Sequence, residues 1–325
     1  MKNIFFFLFL WGFSVSLFAQ AIIPEDYHKI FTPTLNVQAN WTKGVKTEDG
    51  NFQTQYLNVQ YNHLLFGQKR VSAYTVVPSF FRVMLNTSAR VTMPRFSPFP
   101  TQHLMIQPAV GITGYYFRRM KNLFLLNAST FLGEDQYTII NPQLKWRANF
   151  LYRRQFSTAF WAGIGVGYSY LLGGGKLYPI VGVAGWATEN LYYQVYFPFQ
   201  AQISYYQSTW TRWSAVIRPN GNIHRFADKD NIPYLPEIAL WRQREIKAGL
   251  QGAFNSSHRL RWIVETGGVF FRKTIFSNVQ QKFQRHDELA AIPLKPSVYL
   301  QAGVQVSFGE KTKTQNRHFE FLEQW

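Results

Sequence analysis

The chain contains no cysteine, so neither disulfide staples nor thiolate metal sites are open to it. It is short of acid, with 17 Asp and Glu against 34 Lys and Arg and a formal net charge of +17. Beyond its first 20 residues it has no apolar run near the roughly 18 residues that a membrane-crossing helix needs, and mean hydropathy is only -0.18. The histidines, His28, His63, His103, His224, His258, His286 and His318, are never spaced at i+2 or i+4, and no His-Glu-x-x-His pattern occurs, which removes the familiar zinc signatures. Gly173-Gly174-Gly175-Lys176 lacks the spacing of a phosphate-binding loop. Asp228-Lys229-Asp230 starts like a calcium loop, but Ile232, Pro233 and Ala239 stand where an oxygen ligand, a glycine and a bidentate Glu are needed. No cofactor and no metal are expected.

What the chain does have is period-two alternation. In Ser297–Phe308, Val298, Leu300, Ala302, Val304, Val306 and Phe308 fall on one face, and Ser297, Tyr299, Gln301, Gly303, Gln305 and Ser307 on the other. One apolar and one polar face over about ten residues describes a tilted strand long enough to cross a bilayer. Aromatic residues make up 18% of the chain, more than a soluble core of this size readily buries, and a barrel places such rings in two interfacial girdles. The start fits export: Lys2, an apolar run from Ile4 to Phe18, then Ala19-Gln20-Ala21, the layout of a cleaved signal peptide.

These features predict an all-β fold, an antiparallel transmembrane β-barrel of about fourteen strands (twelve as the alternative) in a bacterial outer membrane. The expected organisation is a signal peptide over 1–20, an N-terminal periplasmic segment over 21–32, the barrel over 33–308 and a C-terminal periplasmic tail over 309–325. Strands are expected near 33–43, 53–66, 70–86, 102–118, 122–131, 142–153, 157–171, 237–253, 259–274 and 297–308, with four short ones, or two, in 176–218. The fifth has the weakest pattern. Short connections at Gly67-Gln68-Lys69, Arg119-Met120-Lys121, Arg154-Gln155-Phe156 and Asn255–His258 alternate with longer ones at 44–52, 87–101, 132–141, 219–236 and 275–296. That parity, which the short connection near 172–176 does not follow, puts both chain ends in the periplasm.

Alternation points Arg82, Lys145, Arg147, Arg212, Glu245, Lys247, Arg261 and Glu265 inward, either as an ion-pair and hydrogen-bond network filling the lumen or as a cationic strip along a path for anionic solutes. In lipid such charges would cost roughly 2–4 kcal/mol each at mid-depth. Arg242 and Arg244 share a face with Leu240, Ile246 and Leu250, so they are expected to face outward and meet phosphates of outer-membrane lipids, or to lie in a loop. The remaining cations, among them Arg118-Arg119, Arg153-Arg154 and His258-Arg259, read as solvated turns. Dispersed in this way, without a binding motif, they do not suggest nucleic acid.

The last strand resembles the closing signal of bacterial outer-membrane barrels, polar–x–Gly–x–x–apolar–x–aromatic, here Gln301, Gly303, Val306 and Phe308. The resemblance implies recognition by the barrel-assembly machinery. It departs from the pattern in having residues 309–325 after the signal. The mature chain, in Leu177-Tyr-Pro-Ile-Val-Gly-Val, Tyr196-Phe-Pro198 and Glu265-Thr-Gly-Gly-Val-Phe-Phe-Arg272, is similar to uncharacterised outer-membrane barrel families common in Bacteroidota. Such families imply a fold and a compartment, not an activity. The expected function is a pore, transport component or structural membrane protein. The alternatives are a lipid-modifying enzyme, for which Asn255-Ser256-Ser257-His258 supplies the residue types but sits in a turn, and a soluble periplasmic β-protein that binds a partner.

Overall fold

The computed structural model describes residues 33–308, apart from 48–49, 68–78, 97–100, 119–120, 158, 171–172, 209, 232–234, 258 and 279–287. The expected signal peptide, N-terminal segment and C-terminal tail lie outside the described residues. Sixteen strands run in order: β1 (Thr34–Thr47), β2 (Gly50–Gly67), β3 (Ser79–Phe96), β4 (Met105–Arg118), β5 (Asn122–Leu132), β6 (Glu134–Asp135), β7 (Leu144–Ser157), β8 (Phe160–Ser169), β9 (Lys176–Trp186), β10 (Leu191–Phe197), β11 (Gln200–Tyr206), β12 (Thr211–Ala227), β13 (Ile238–Asn255), β14 (Leu260–Asn278), β15 (Glu288–Leu294) and β16 (Ser297–Ser307). Fourteen of them form a closed antiparallel barrel. The ring is sealed where Thr34 pairs with Ser307 on β1 and β16, and where β11 pairs with β12. The two others lie off the ring: β15 pairs with β14, and β6 lies between β4 and β12.

The expected strand count holds, and the bounds move. The first hairpin is tight, β1 running to Thr47 and β2 resuming at Gly50, so 44–52 is not a long loop. β3 starts at Ser79 and continues to Phe96, which takes in much of the expected 87–101 loop; the expected Gly67-Gln68-Lys69 turn falls partly outside the described residues. Half of 219–236 is also not loop, because β12 continues to Ala227. Elsewhere the connections at the end that carries residues 33 and 308 are short, at 119–121, 158–159, 187–190, 207–210 and 256–259.

Alternation sets the outer surface. Ile164, Val181, Ile203, Ile217, Leu250 and Leu300 are exposed on the outside. Exposed rings at Phe66, Phe81, Tyr116, Phe156, Trp213, Trp262 and Phe308 cluster at the end that carries the termini, and Trp41, Trp146, Phe197 and Phe270 lie further up. Trp262 and Phe270 are eight positions apart on β14, about 26 Å of strand and about 20 Å of height at a 40° tilt. An apolar band of that height between aromatic rings suits a bilayer.

The interior is not uniformly wet. On the β4–β11 side, near the end that carries the termini, Phe117, Leu123, Leu125, Leu151, Ile180, Tyr192, Tyr196 and Tyr206 pack into one buried cluster. Gly182 makes room for it, since a β-carbon there would sit 2.3 Å from the Tyr196 ring. This packing explains the faint pattern of β5. Its inner Leu123 and Leu125 are as apolar as its outer Leu126, so the alternation cancels. Truncating Leu125 to Ala is expected to cost about 2–5 kcal/mol, as for a packed core, whereas Leu126→Ala on the outer face changes little. Denaturant unfolding of the refolded barrel checks this; equal effects would mean that the interior is not packed at this site.

Candidate functional site in the lumen

The inner wall formed by β12, β13, β14, β16, β1 and β2 carries ionised groups that partner one another. Glu265 accepts from Arg218 Nη2 at 2.6 Å, from the Tyr299 hydroxyl at 2.5 Å and from Gln251 Nε2 at 2.9 Å. Glu245 accepts from Asn220 Nδ2 at 2.7 Å and Gln243 Nε2 at 2.9 Å, with Arg272 Nε at 3.5 Å and Lys247 Nζ at 3.7 Å. Lys247 also lies 5.1 Å from the ring centres of both Tyr56 and Tyr299. Both carboxylates are buried, and a buried carboxylate persists only with charge partners and filled hydrogen bonds.

A β-bulge makes the second cluster possible. Arg244 pairs with Lys273 and Ile246 with Phe270, so Phe271 and Arg272 together face Glu245. Phe271 takes a left-handed φ of 49°, and its side chain is 81% exposed. The extra residue reverses the alternation above it. Counted from Trp262 and Val264, Arg272 would face lipid; after the bulge it is buried, 3% exposed, beside Glu245.

At the end opposite the termini, β12 and β13 continue far beyond β11, with β14 alongside β13, and cross the mouth. β6 pairs with Met105 and Ile106 of β4 on one side and runs parallel to β12 at Arg225 on the other, joining walls that lie on opposite sides of the ring. Both faces of the crossing hairpin are covered. Ile223 and Leu240 pack on Phe131, and Phe226 and Trp241 pack with Phe52, Met105, Phe276 and Leu294. Two buried acids on β6 fasten it. Glu134 lies 3.6 Å from Arg225 and 4.0 Å from Lys145, and accepts from the Thr138 hydroxyl at 2.8 Å. Asp135 meets His103 Nδ1 at 2.6 Å and accepts from the Ala227 amide at 3.3 Å.

Between this roof and the apolar cluster lies a cavity of about 390 Å³. Its wall is rich in side-chain amides and hydroxyls, including Asn58, Gln60, Asn86, Ser88, Gln107, Asn127, Ser129, Asn149 and Gln194, and three arginines, Arg90, Arg147 and Arg218, reach it. No Asp or Glu lines it.

The inward candidates thus fall into separate groups rather than one strip. Glu265, Glu245 and Lys247 belong to the charged wall; Arg212 donates to Gln251 at 3.2 Å nearby. Lys145 serves the mouth, Arg147 the chamber, and Arg261 donates to Asn255 at 2.9 Å near the termini. Arg82 is buried toward the same end. Arg244 is exposed, whereas Arg242 departs from the expected lipid-facing position: it donates to Ser277 at 2.6 Å and lies against the Gly173–Gly174 loop. Hairpin folding over the mouth brings that outer face of β13 onto protein. Of the closing-signal residues, Gln301 points inward and accepts from Tyr56 at 3.2 Å, Gly303 pairs with Gln38, Val306 with Leu35 and Leu260, and Phe308 is exposed beside Tyr61.

Several functional residues escaped the sequence reading. Arg90 falls in the expected 87–101 connection, although Asn86, Ser88, Arg90 and Thr92 alternate with Ala89 and Val91. Arg153, read as part of a turn, is fully buried with its guanidinium 4.1 Å from the Trp161 ring centre. Glu134, Asp135 and His103 carried no local signal. The Ser256–Ser257 segment is a turn, with Ser257 Oγ accepting from the Leu260 amide at 3.1 Å, and His258 is outside the described residues. Among the described residues no group of His, Asp and Glu could hold a metal.

No family model and no curated protein matches the chain. Among solved structures it is similar to an outer-membrane channel from Pseudomonas putida F1, at 6% identity and TM-score 0.38, covering 91% of this chain and 99% of that one. It is also similar to the transport unit of the autotransporter AIDA-I from Escherichia coli, at 12% identity and TM-score 0.34, covering 93% and 97%, and to a mutant of the TodX monoaromatic hydrocarbon channel, at 9% identity and TM-score 0.35, covering 86% and 90%. At such scores any functional reading rests on this chain's own geometry.

Replacing Glu265 by Gln strips Arg218 of its carboxylate and is expected to destabilise the barrel by about 3–5 kcal/mol. Adding Arg218→Met should recover most of that loss. Unfolding midpoints of the single and double variants in detergent test the pair, and a double variant no better than the single would refute it.

Proposed function

We propose that the protein is an outer-membrane barrel acting as a pore or transport component for small polar solutes. The observation that carries this reading is the amide-lined chamber enclosed by a barrel whose outer belt is apolar. Water-soluble solutes fit such a wall because Asn and Gln side chains can both donate and accept, while the outer belt keeps the whole in lipid. In this reading residues 1–20 are removed on export and both chain ends lie in the periplasm. Gln301, Gly303, Val306 and Phe308 are then read by the barrel-assembly machinery, in a family of the Bacteroidota type. Arg244, exposed on the outer face, is read as a contact for a lipid phosphate. The hairpin across the mouth makes the resting state poorly conducting, and the bonds to Glu134 and Asp135 keep it there.

Planar-bilayer recording of the refolded mature chain tests this. The wild type is expected to show low, intermittent conductance. The double variant Glu134→Gln, Asp135→Asn should weaken the fastening of the hairpin and raise the open fraction several-fold. A correctly folded double variant that conducts no more than wild type would refute the gating role, and silence from every folded form would refute the pore.

A further inference from the structure

The charged wall neutralises its cations; the chamber does not. Arg218 reaches the chamber but is held by Glu265 at 2.6 Å. Arg90 and Arg147 have no such partner. Arg147 Nε donates to the Ser129 hydroxyl at 2.7 Å, and Arg90 Nη1 donates to Asn222 Oδ1 at 2.9 Å, both acceptors being neutral. Neither arginine forms an ion pair among the described residues, and both line the same cavity. A guanidinium carries five N–H donors in a planar fork, so each has donors to spare beside the cavity. An anion in that cavity would lessen the repulsion between two like charges while gaining charge-assisted bonds.

The surroundings narrow the ligand further. The wall around the two arginines supplies Gln107, Ser129, Asn149 and Asn222, which suit hydroxyl groups. A cavity of about 390 Å³ is at the small end of ordinary ligand pockets, large enough for a sugar-sized molecule. The chamber lies inside the barrel, away from the lipid-facing surface, which disfavours a lipid headgroup still attached to its chains.

We propose that Arg90 and Arg147 form the binding site for a small, hydroxyl-rich solute bearing an oxyanion, such as a sugar acid or a sugar phosphate, with the anionic group on the two guanidiniums and the hydroxyls on the neighbouring amides. This rests on the transport reading above in that the bound molecule is taken to be the solute carried.

Isothermal titration of the refolded barrel with glucose 6-phosphate, gluconate and neutral glucose tests the site. At least one of the two anions should bind at least ten-fold more tightly than glucose, and the other identifies whether phosphate or carboxylate is preferred. Arg90→Gln and Arg147→Gln should each weaken binding at least ten-fold and together abolish it, while Arg259→Gln in the exposed 256–259 turn leaves it unchanged. Folding of each variant is read from its mobility on unheated gels. Should the arginine variants fail to fold, the wild type alone decides: anion binding must fall as salt rises and be displaced by inorganic phosphate. Equal affinity for glucose and both anions, binding that survives in the folded double variant, or no binding of either anion at millimolar concentration would each overturn the proposal. Conductance without anion binding would remove this site and leave the pore reading standing; anion binding without conductance in any variant would do the reverse.

Discussion

A peptide group in hydrocarbon has no water to bond, so every strand edge facing lipid must find another strand. That constraint closes this sheet on itself, through the β1–β16 seam and the β11–β12 pairing. Closure at fourteen strands then creates a second problem. An eight-stranded barrel can be filled by its own side chains, while a much wider one leaves a channel. This barrel is intermediate, and its interior is occupied in three ways: the apolar cluster around Leu125 and Leu151, the ionised wall around Glu245 and Glu265, and the β12–β13 hairpin that crosses the mouth.

The electrostatics follow from that filling. With twice as many basic as acidic residues, the protein cannot pair every cation. Its buried carboxylates are placed where the need is greatest. Glu265 and Glu245 serve Arg218, Lys247 and Arg272 on the wall, and Glu134 serves Arg225 and Lys145 beneath the hairpin. Arg90 and Arg147 are left to the chamber, held by neutral acceptors. The surplus charge is therefore localised at the polar cavity as well as spread over the turns.

Where one face meets lipid and the other meets polar groups, the sequence could be read closely. β1, β8 and β16 show it: Trp41, Ile164 and Leu300 face out, and Asn40, Gly163 and Gln301 face in. The reading weakened wherever the interior stopped being polar, as at β5, or where an unbroken count of two failed, as at the Phe271–Arg272 bulge. It also failed at Arg90, which lies on β3 and not in the expected 87–101 connection. The fastening of β6 was invisible for a different reason. His103, Asp135 and Ala227 meet only after strands from opposite walls have been brought together, and no local pattern encodes such a meeting.

The central claim is that alternate residues face lipid and the barrel interior. The absence of cysteine makes a direct test simple, since each introduced thiol carries the only label. Single variants across three strands, Ile164→Cys, Ile203→Cys and Leu300→Cys against Gly167→Cys, Ser204→Cys and Gln301→Cys, would be labelled with a small fluorophore and refolded into vesicles containing a lipid-borne quencher. The account predicts strong quenching at the first three sites and little at the second three. Similar quenching within each strand, or quenching absent throughout, would contradict it.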